Sequence, residues 1–341
     1  MRVLIAIDSF KGSLSSMQAG RAAAEGIRQA IGAAQCVVRP LADGGEGTVE
    51  ALREGLGGEE CKVIVQGPMG VPTEAKYALA GDLAVMEMAQ AAGLALVPLE
   101  ERNPMKASTY GVGEMILDAV DRGARRFVIG IGGSATNDAG RGMLEALGRR
   151  KLPKLEFSVA CDVKNPLCGP EGASAVFGPQ KGATPEMVKL LDARLSTFAA
   201  EMGDPGLTPG DGAAGGLGYA FRRCLGARLE PGVDLVLRTL KLEEEIVQAD
   251  LVVTGEGRLD AQTAMGKAPF GVSMLAKRHG KRVIAFSGCI GQGAEILNEK
   301  GIDAFFPILR EVSTLEKALD PVVAAANLTA TAEQVFRLLA C

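Results

Sequence analysis

Residues 2–8, RVLIAID, stay apolar from Val3 to Ile7 and stop at an aspartate. So short a run, with no polar alternation, suits a strand covered on both faces, as in a parallel sheet. SSMQAGRAAAEGIRQAIG (15–32) follows with helical periodicity, opened by a capping box at Ser15 and Gln18. CVVRPLA (36–42) reads as a second strand and TVEALREGLG (48–57) as a second helix. That order predicts parallel strands joined by right-handed crossovers. The carboxyl end resumes the pattern, with strands in ADLVVTGEG (249–257), KRVIAFSG (281–288) and DAFFPIL (303–309). Helices are expected at 268–280 and 328–340.

The middle of the chain is patterned differently. CKVIVQGPMGVPTEAKYALAGDLAVMEMA (61–89) breaks into short runs at GPMG and AGD, which predicts antiparallel hairpins. Helices at about 108–122, 139–148 and 184–202 and strands at 125–133 and 156–163 follow. The expected fold is therefore α/β. A Rossmann-like, doubly wound parallel sheet domain is built from 1–63 and 245–341, and a second α/β domain (64–244) is inserted into it.

Composition narrows the chemistry. The 341 residues include one histidine, His279, in a basic, glycine-bounded stretch that reads as the solvated end of a helix. Histidine-rich metal sites are therefore excluded, and a histidine triad would have to draw on this one solvated helix-end residue. The seven cysteines are odd in number and contain no C-x-x-C, which fits reduced, buried thiols and not zinc. A net charge of −4 argues against nucleic acid as a partner. The first apolar run, Val3 to Ile7, is too short for a signal peptide and no 18 apolar residues run uninterrupted, so no membrane partner and a cytoplasmic setting are expected.

Catalysis must then use carboxylates, lysines, hydroxyls and backbone amides. These gather in glycine-bearing stretches: IDSFKGSLSS (7–16), ADGGEGT (42–48), GIGGSATNDAG (130–140), GDGAAGGLG (210–218) and TGEGRLDAQTAMGKAP (254–269). Four of these leave strand-like runs, where ligands of open α/β sheets bind. Glycines allow backbone amides to approach an anion, and Ser9 and Ser134 add hydroxyls. Asp43, Glu46, Asp138, Glu256 and Asp260 would repel a bare phosphate but suit Mg²⁺, while Lys11, Arg258 and Lys267 neutralise anionic charge. This is the equipment of phosphoryl transfer.

Plainer readings stand beside it. GDGAAGGLG suits a close backbone contact, and Asp138 and Asp260 suit helix or turn caps. GIGGSA matches a dinucleotide-binding spacing, which leaves a hydroxy-acid dehydrogenase as one alternative, and a non-enzymatic anion-binding protein that uses the same loops without turnover is the other. AQTAMGKAP fails as a P-loop, because Ala261 replaces its first glycine and Ala268 its Ser/Thr.

IDSFKGSLSS, PLADGGEGT, GIGGSATNDAG, CDVKNPLCGPEGASAVFGPQKGA and TGEGRLDAQTAMGKAP resemble the signature segments of the bacterial glycerate kinase family, of the 2-phosphoglycerate-forming type. The resemblance spans residues 7–269, in the family's order. It implies ATP-dependent phosphorylation of D-glycerate with Mg²⁺ and two α/β domains with a cleft between them. On that footing Arg258 or Lys11 clamps the glycerate carboxylate, and Asp8 or Asp43 orients or deprotonates the acceptor hydroxyl. Glu256, Asp260 or Asp162 holds Mg²⁺, and the 130–138 loop (Gly132, Gly133, Ser134, Asn137, Asp138) receives phosphates with Lys267. Ser9, Gly44, Gly45, Glu46 and Gln262 complete the expected binding set. Three departures stand out: Ile7 where proline is common, Asp211 where a small residue is usual, and a much shortened connection between Gly148 and Glu156.

Overall fold

The computed structural model describes residues 1–45 and 47–340. Its strands are β1 (Arg2–Ile7), β2 (Gln35–Val38), β3 (Glu59–Gln66), β4 (Pro72–Ala80), β5 (Leu83–Glu87), β6 (Arg126–Gly130), β7 (Glu156–Ala160), β8 (Arg228–Glu230), β9 (Leu251–Leu259), β10 (Arg282–Ile290) and β11 (Ala304–Pro307). They form two sheets, in two compact units.

The first unit comprises residues 1–43, 50–56 and 236–341. Its sheet runs β11-β10-β9-β1-β2 with every pairing parallel. From β1 the chain proceeds to β2 on one side, and β9, β10 and β11 lie on the other. The strand order therefore reverses between β1 and β9, the place where open α/β sheets bind ligands. β1 is buried from Val3 through Ile7, as a central parallel strand must be.

The helix Ser16–Ala30 begins with the expected capping box, Ser15 accepting from Gln18 N while Gln18 accepts from Ser15 N. The last helix, Pro321–Leu339, starts seven residues before the expected Leu328. Asp320 caps it by accepting from the amides of Val322 and Val323, and Pro321 takes a first-turn position where its missing N–H costs nothing. The two helices meet closely. A methyl group on Gly26 would come within 2.0 Å of the Thr329 carbonyl oxygen, and Thr329 Oγ1 donates to Ala22 O at 3.0 Å.

The second unit comprises residues 44–49 and 57–235. Its sheet runs β3-β4-β5-β6-β7-β8, antiparallel through β3, β4 and β5 and parallel from β5 to β8. The expected hairpins turn at 67–71 and 81–82. Phe127 and Phe157 stack at the core with centroids 4.9 Å apart, and Phe221 packs tilted against Phe157 at 5.7 Å. β8, only three residues long, had no counterpart in the sequence reading.

GDGAAGGLG serves close packing. Ala214, Gly215 and Gly216 all take positive φ, and a methyl on Gly215 would sit 2.1 Å from the Thr136 carbonyl oxygen. Asp211, fully buried, is held by Arg222 through bonds of 2.7 and 2.9 Å, so the carboxylate at this position has a paired cation.

Gly26→Ala is expected to destabilise the protein by about 1–3 kcal/mol through overpacking of this helix pair. Urea unfolding measures it, with the largest loss of hydrogen-exchange protection expected in 16–30 and 321–339.

Candidate functional site

At the strand-order reversal of the first unit lies a cavity of ≈ 340 Å³. Ile7 pairs with Gly255 in the β1–β9 register and Asp8 N donates to Gly255 O at 2.9 Å, so Asp8, just past the end of β1, is set beside the β9 residue Glu256. Asp8, Ser9, Lys11, Asp43, Glu256, Arg258 and Lys267 all line the cavity. Glu256 and Arg258 stand on β9 itself, not in a loop after it, because the β9–β10 pairing continues to Leu259 and Ile290.

Asp8 is 7% exposed. Burial pushes its pKa up to about 7, the N–H of Ser9 opposes this from 2.6 Å, and the charges of Asp43 and Glu256 add to the rise. Glu256 is also raised by burial, while Thr263 Oγ1 donates to its Oε1 at 2.6 Å and Lys267 Nζ to its Oε2 at 3.3 Å. Lys267 is the residue just before the helix Ala268–Arg278. Arg258 is largely exposed, with its Nε 3.2 Å from Asp260 Oδ2. Opposite this charged rim the cavity is walled by Ile308, Leu309, Leu315 and Leu319, which sequence reasoning did not single out.

The second unit has a cavity of ≈ 240 Å³ where β6 and β7 end. Gly44, Gly45, Gly132, Gly133, Ser134 and Asp162 line it, and so does Lys181, which the sequence reading left without a role. Asp162 accepts from Gly232 N at 3.0 Å. The loop after β6 does not turn directly into a helix, since the next one starts at Arg141. A dinucleotide fingerprint requires that turn, so GIGGSA lacks the geometry.

Asn137, Asp138, Asp260 and Gln262 lie outside both cavity walls. Asp138 accepts from Thr109 N and Oγ1 at 2.9 and 2.8 Å and from the amides of Gly140 and Gly142, so it clasps the start of the 141–148 helix. Asn137 is buried and donates to Ser174 Oγ at 2.8 Å. Asp260 accepts from Gln262 N at 2.9 Å, which makes it a turn cap as well as the partner of Arg258. Gln262 itself is exposed. Glu46 lies outside the described residues. Of the three expected metal ligands, Glu256 and Asp260 belong to the first unit and Asp162 to the second. Among the described residues no group of three or more His, Cys, Asp or Glu side chains converges as a metal site. Nor is any helix among them long and apolar enough to cross a membrane.

Comparison with known proteins is consistent throughout the chain. The family model of the glycerate kinase family matches residues 3–154 and 149–340, its two segments meeting at the short link before β7. The chain is 45% identical to a glycerate kinase of Halalkalibacterium halodurans, with 93% of each chain covered. It is 42% identical to the glycerate 2-kinase of Escherichia coli, again over 93% of each. A crystal structure assigned to glycerate kinase 2 of Salmonella typhimurium LT2 superposes with a TM-score of 0.89 at 42% identity, covering 100% of this chain and 98% of that one. Fold and relatives define an α/β kinase. The chain belongs to the glycerate kinase family.

The buried Asp8 has a stability signature. Its folded pKa is raised, so between about pH 4 and pH 7 the folded state holds a proton that the unfolded state has released, and stability falls as pH rises across that window. Asp8→Asn removes this loss. Its Tm advantage over the unaltered protein is expected to be small at pH 4 and to grow to a plateau above about pH 7, followed by calorimetry across that range.

Proposed function

We propose that the protein transfers the γ-phosphoryl group of ATP to D-glycerate, giving 2-phosphoglycerate and ADP. One observation carries the reading: a buried carboxyl with a pKa near neutrality, Asp8, lines a cavity shared with Lys11, Arg258 and Lys267. A general base works best with a pKa near the operating pH. Asp8 takes the proton of the glycerate C2 hydroxyl. That oxygen bonds to the γ-phosphorus as the bond from γ-phosphorus to the β,γ-bridging oxygen breaks, and ADP leaves with the electron pair.

Arg258, fixed through Nε by Asp260, keeps its terminal nitrogens for bidentate capture of the glycerate carboxylate, and Lys11 adds a second cation. Lys267 balances Glu256 and reaches toward phosphate charge. Asp43 acts through its charge, which helps to hold the Asp8 proton affinity high. The cavity is larger than a three-carbon acid needs, which leaves space for the transferred group.

The donor set fits Mg²⁺. It consists of carboxylate oxygens, and Mg²⁺ takes only one or two of these beside water and phosphate. Glu256 and Asp260 would hold it in the first unit and Asp162 in the second. When bound, the ion neutralises charge on the β- and γ-phosphates. A cytoplasmic setting agrees with the thiols, of which Cys161 is pushed up to about 11 by burial and is inert.

A coupled ADP-release assay with D-glycerate, run with and without Mg²⁺, tests the reading directly. Turnover is expected only with ATP, glycerate and the metal together, and phosphorus NMR should find the product phosphate on C2. Asp8→Asn is expected to lower kcat by more than ~100-fold with the fold intact. In the unaltered enzyme kcat/KM should decline as pH drops below about 7. Arg258→Ala should raise the KM for glycerate by roughly 10–100-fold and leave that for ATP nearly unchanged. ADP release without glycerate dependence would overturn the proposal.

A further inference from the structure

Lys181 ends the short turn Pro179–Lys181 and is only 2% exposed, yet it borders the cavity of the second unit. Its Nζ donates to Thr136 O at 2.6 Å and to Ser134 Oγ at 3.4 Å. No carboxylate among the described residues lies within ion-pair range of it, and Asp138 acts on it only as a more distant charge. Burial pushes its pKa down to about 8. A carbonyl and a hydroxyl satisfy two of the three N–H donors but cannot neutralise the charge, and a buried ammonium without a counter-ion is costly. An apolar side chain of the same length would fill this place at lower cost, so packing alone does not account for a lysine.

The surroundings say what the missing partner is. Gly132 and Gly133 are exposed, and neither donates its amide to another group among the described residues. Both border the same cavity as Lys181, at the carboxyl end of a parallel strand. Free amides beside an ammonium receive an oxyanion. Asp162, on the same wall, would repel a bare anion, but it suits a phosphate accompanied by Mg²⁺. The wall thus favours a nucleotide polyphosphate over the small carboxylate of glycerate.

We propose that Lys181, with the amides of Gly132 and Gly133, binds a phosphate group of the nucleotide in the second unit's cavity. The assignment rests on the kinase reading above and goes beyond it by naming the nucleotide's cation.

The test compares the unaltered protein with Lys181→Met and Lys181→Arg. Calorimetric titration with the β,γ-imido analogue of ATP plus Mg²⁺, and separately with D-glycerate, gives both affinities, and thermal unfolding reports the fold. Lys181→Met keeps the apolar stem and is expected to fold. Its analogue affinity should fall by roughly 10–100-fold with the glycerate affinity and Tm preserved, and Lys181→Arg should restore part of the loss. Unchanged analogue binding overturns the proposal, as does a loss confined to glycerate. A parallel loss of both affinities together with Tm also overturns it, because that is what a purely structural tie to Thr136 would give. Should the unaltered protein bind the analogue through Lys181 but fail to phosphorylate glycerate, the acceptor reading falls and the Lys181 assignment stands.

Discussion

The pairing of β1 with β9 is the constraint on which the chemistry depends. Ile7 opposite Gly255 fixes where each strand ends, and so fixes that two acidic side chains emerge from the sheet side by side. Separate peptides carrying IDSFKG and TGEGRL would have ordinary carboxylates in water. Bound into one register and covered by the sheet and its helices, the same groups lose hydration and feel one another's charge. Proton affinity at Asp8 is thus a property of the sheet as much as of the residue.

Both cavities contain a charge that the fold does not itself satisfy. Asp8 is buried among further carboxylates, and Lys181 is buried without one. Each is a local sacrifice of stability, sustained by well-packed apolar cores such as Val3, Ile5, Leu251 and Phe286 in the first unit and the Phe127–Phe157–Phe221 cluster in the second. Where a buried charge has no functional use the chain pairs it, as Arg222 does for Asp211. That pairing distinguishes Asp211 from Asp8 and Lys181.

Much of this was legible in the sequence because it rests on local signals. The apolar run of β1, the Ser15–Gln18 capping box and the turns at GPMG and AGD each declare themselves within a few residues. The end of the last helix was legible but its start was not, although Asp320-Pro321 is a sound cap signal. What stayed hidden depends on partners far along the chain. Asp138 becomes a clasp only because Thr109 reaches it from 29 residues away. Lys181 looks like one more surface lysine in GPQKGA until Ser134 and Thr136, 47 and 45 residues earlier, close over it. The apolar wall at 308–319 has no periodicity of its own and gains meaning only opposite Lys11 and Arg258.

The helix clasp at Gly26 and Thr329 has a consequence for how the polypeptide matures on the ribosome. β1 and the first helix are synthesised early, but β9 follows β1 by some 250 residues and the covering helix comes last of all. Residues 57–235 have all their sheet partners among themselves and can condense while translation continues. The opening strand meanwhile waits with an apolar edge unpaired, a natural client for a holding chaperone. Termination after residue 235 but before β9 would strand that segment permanently, leaving a folded remnant tethered to a sticky leader.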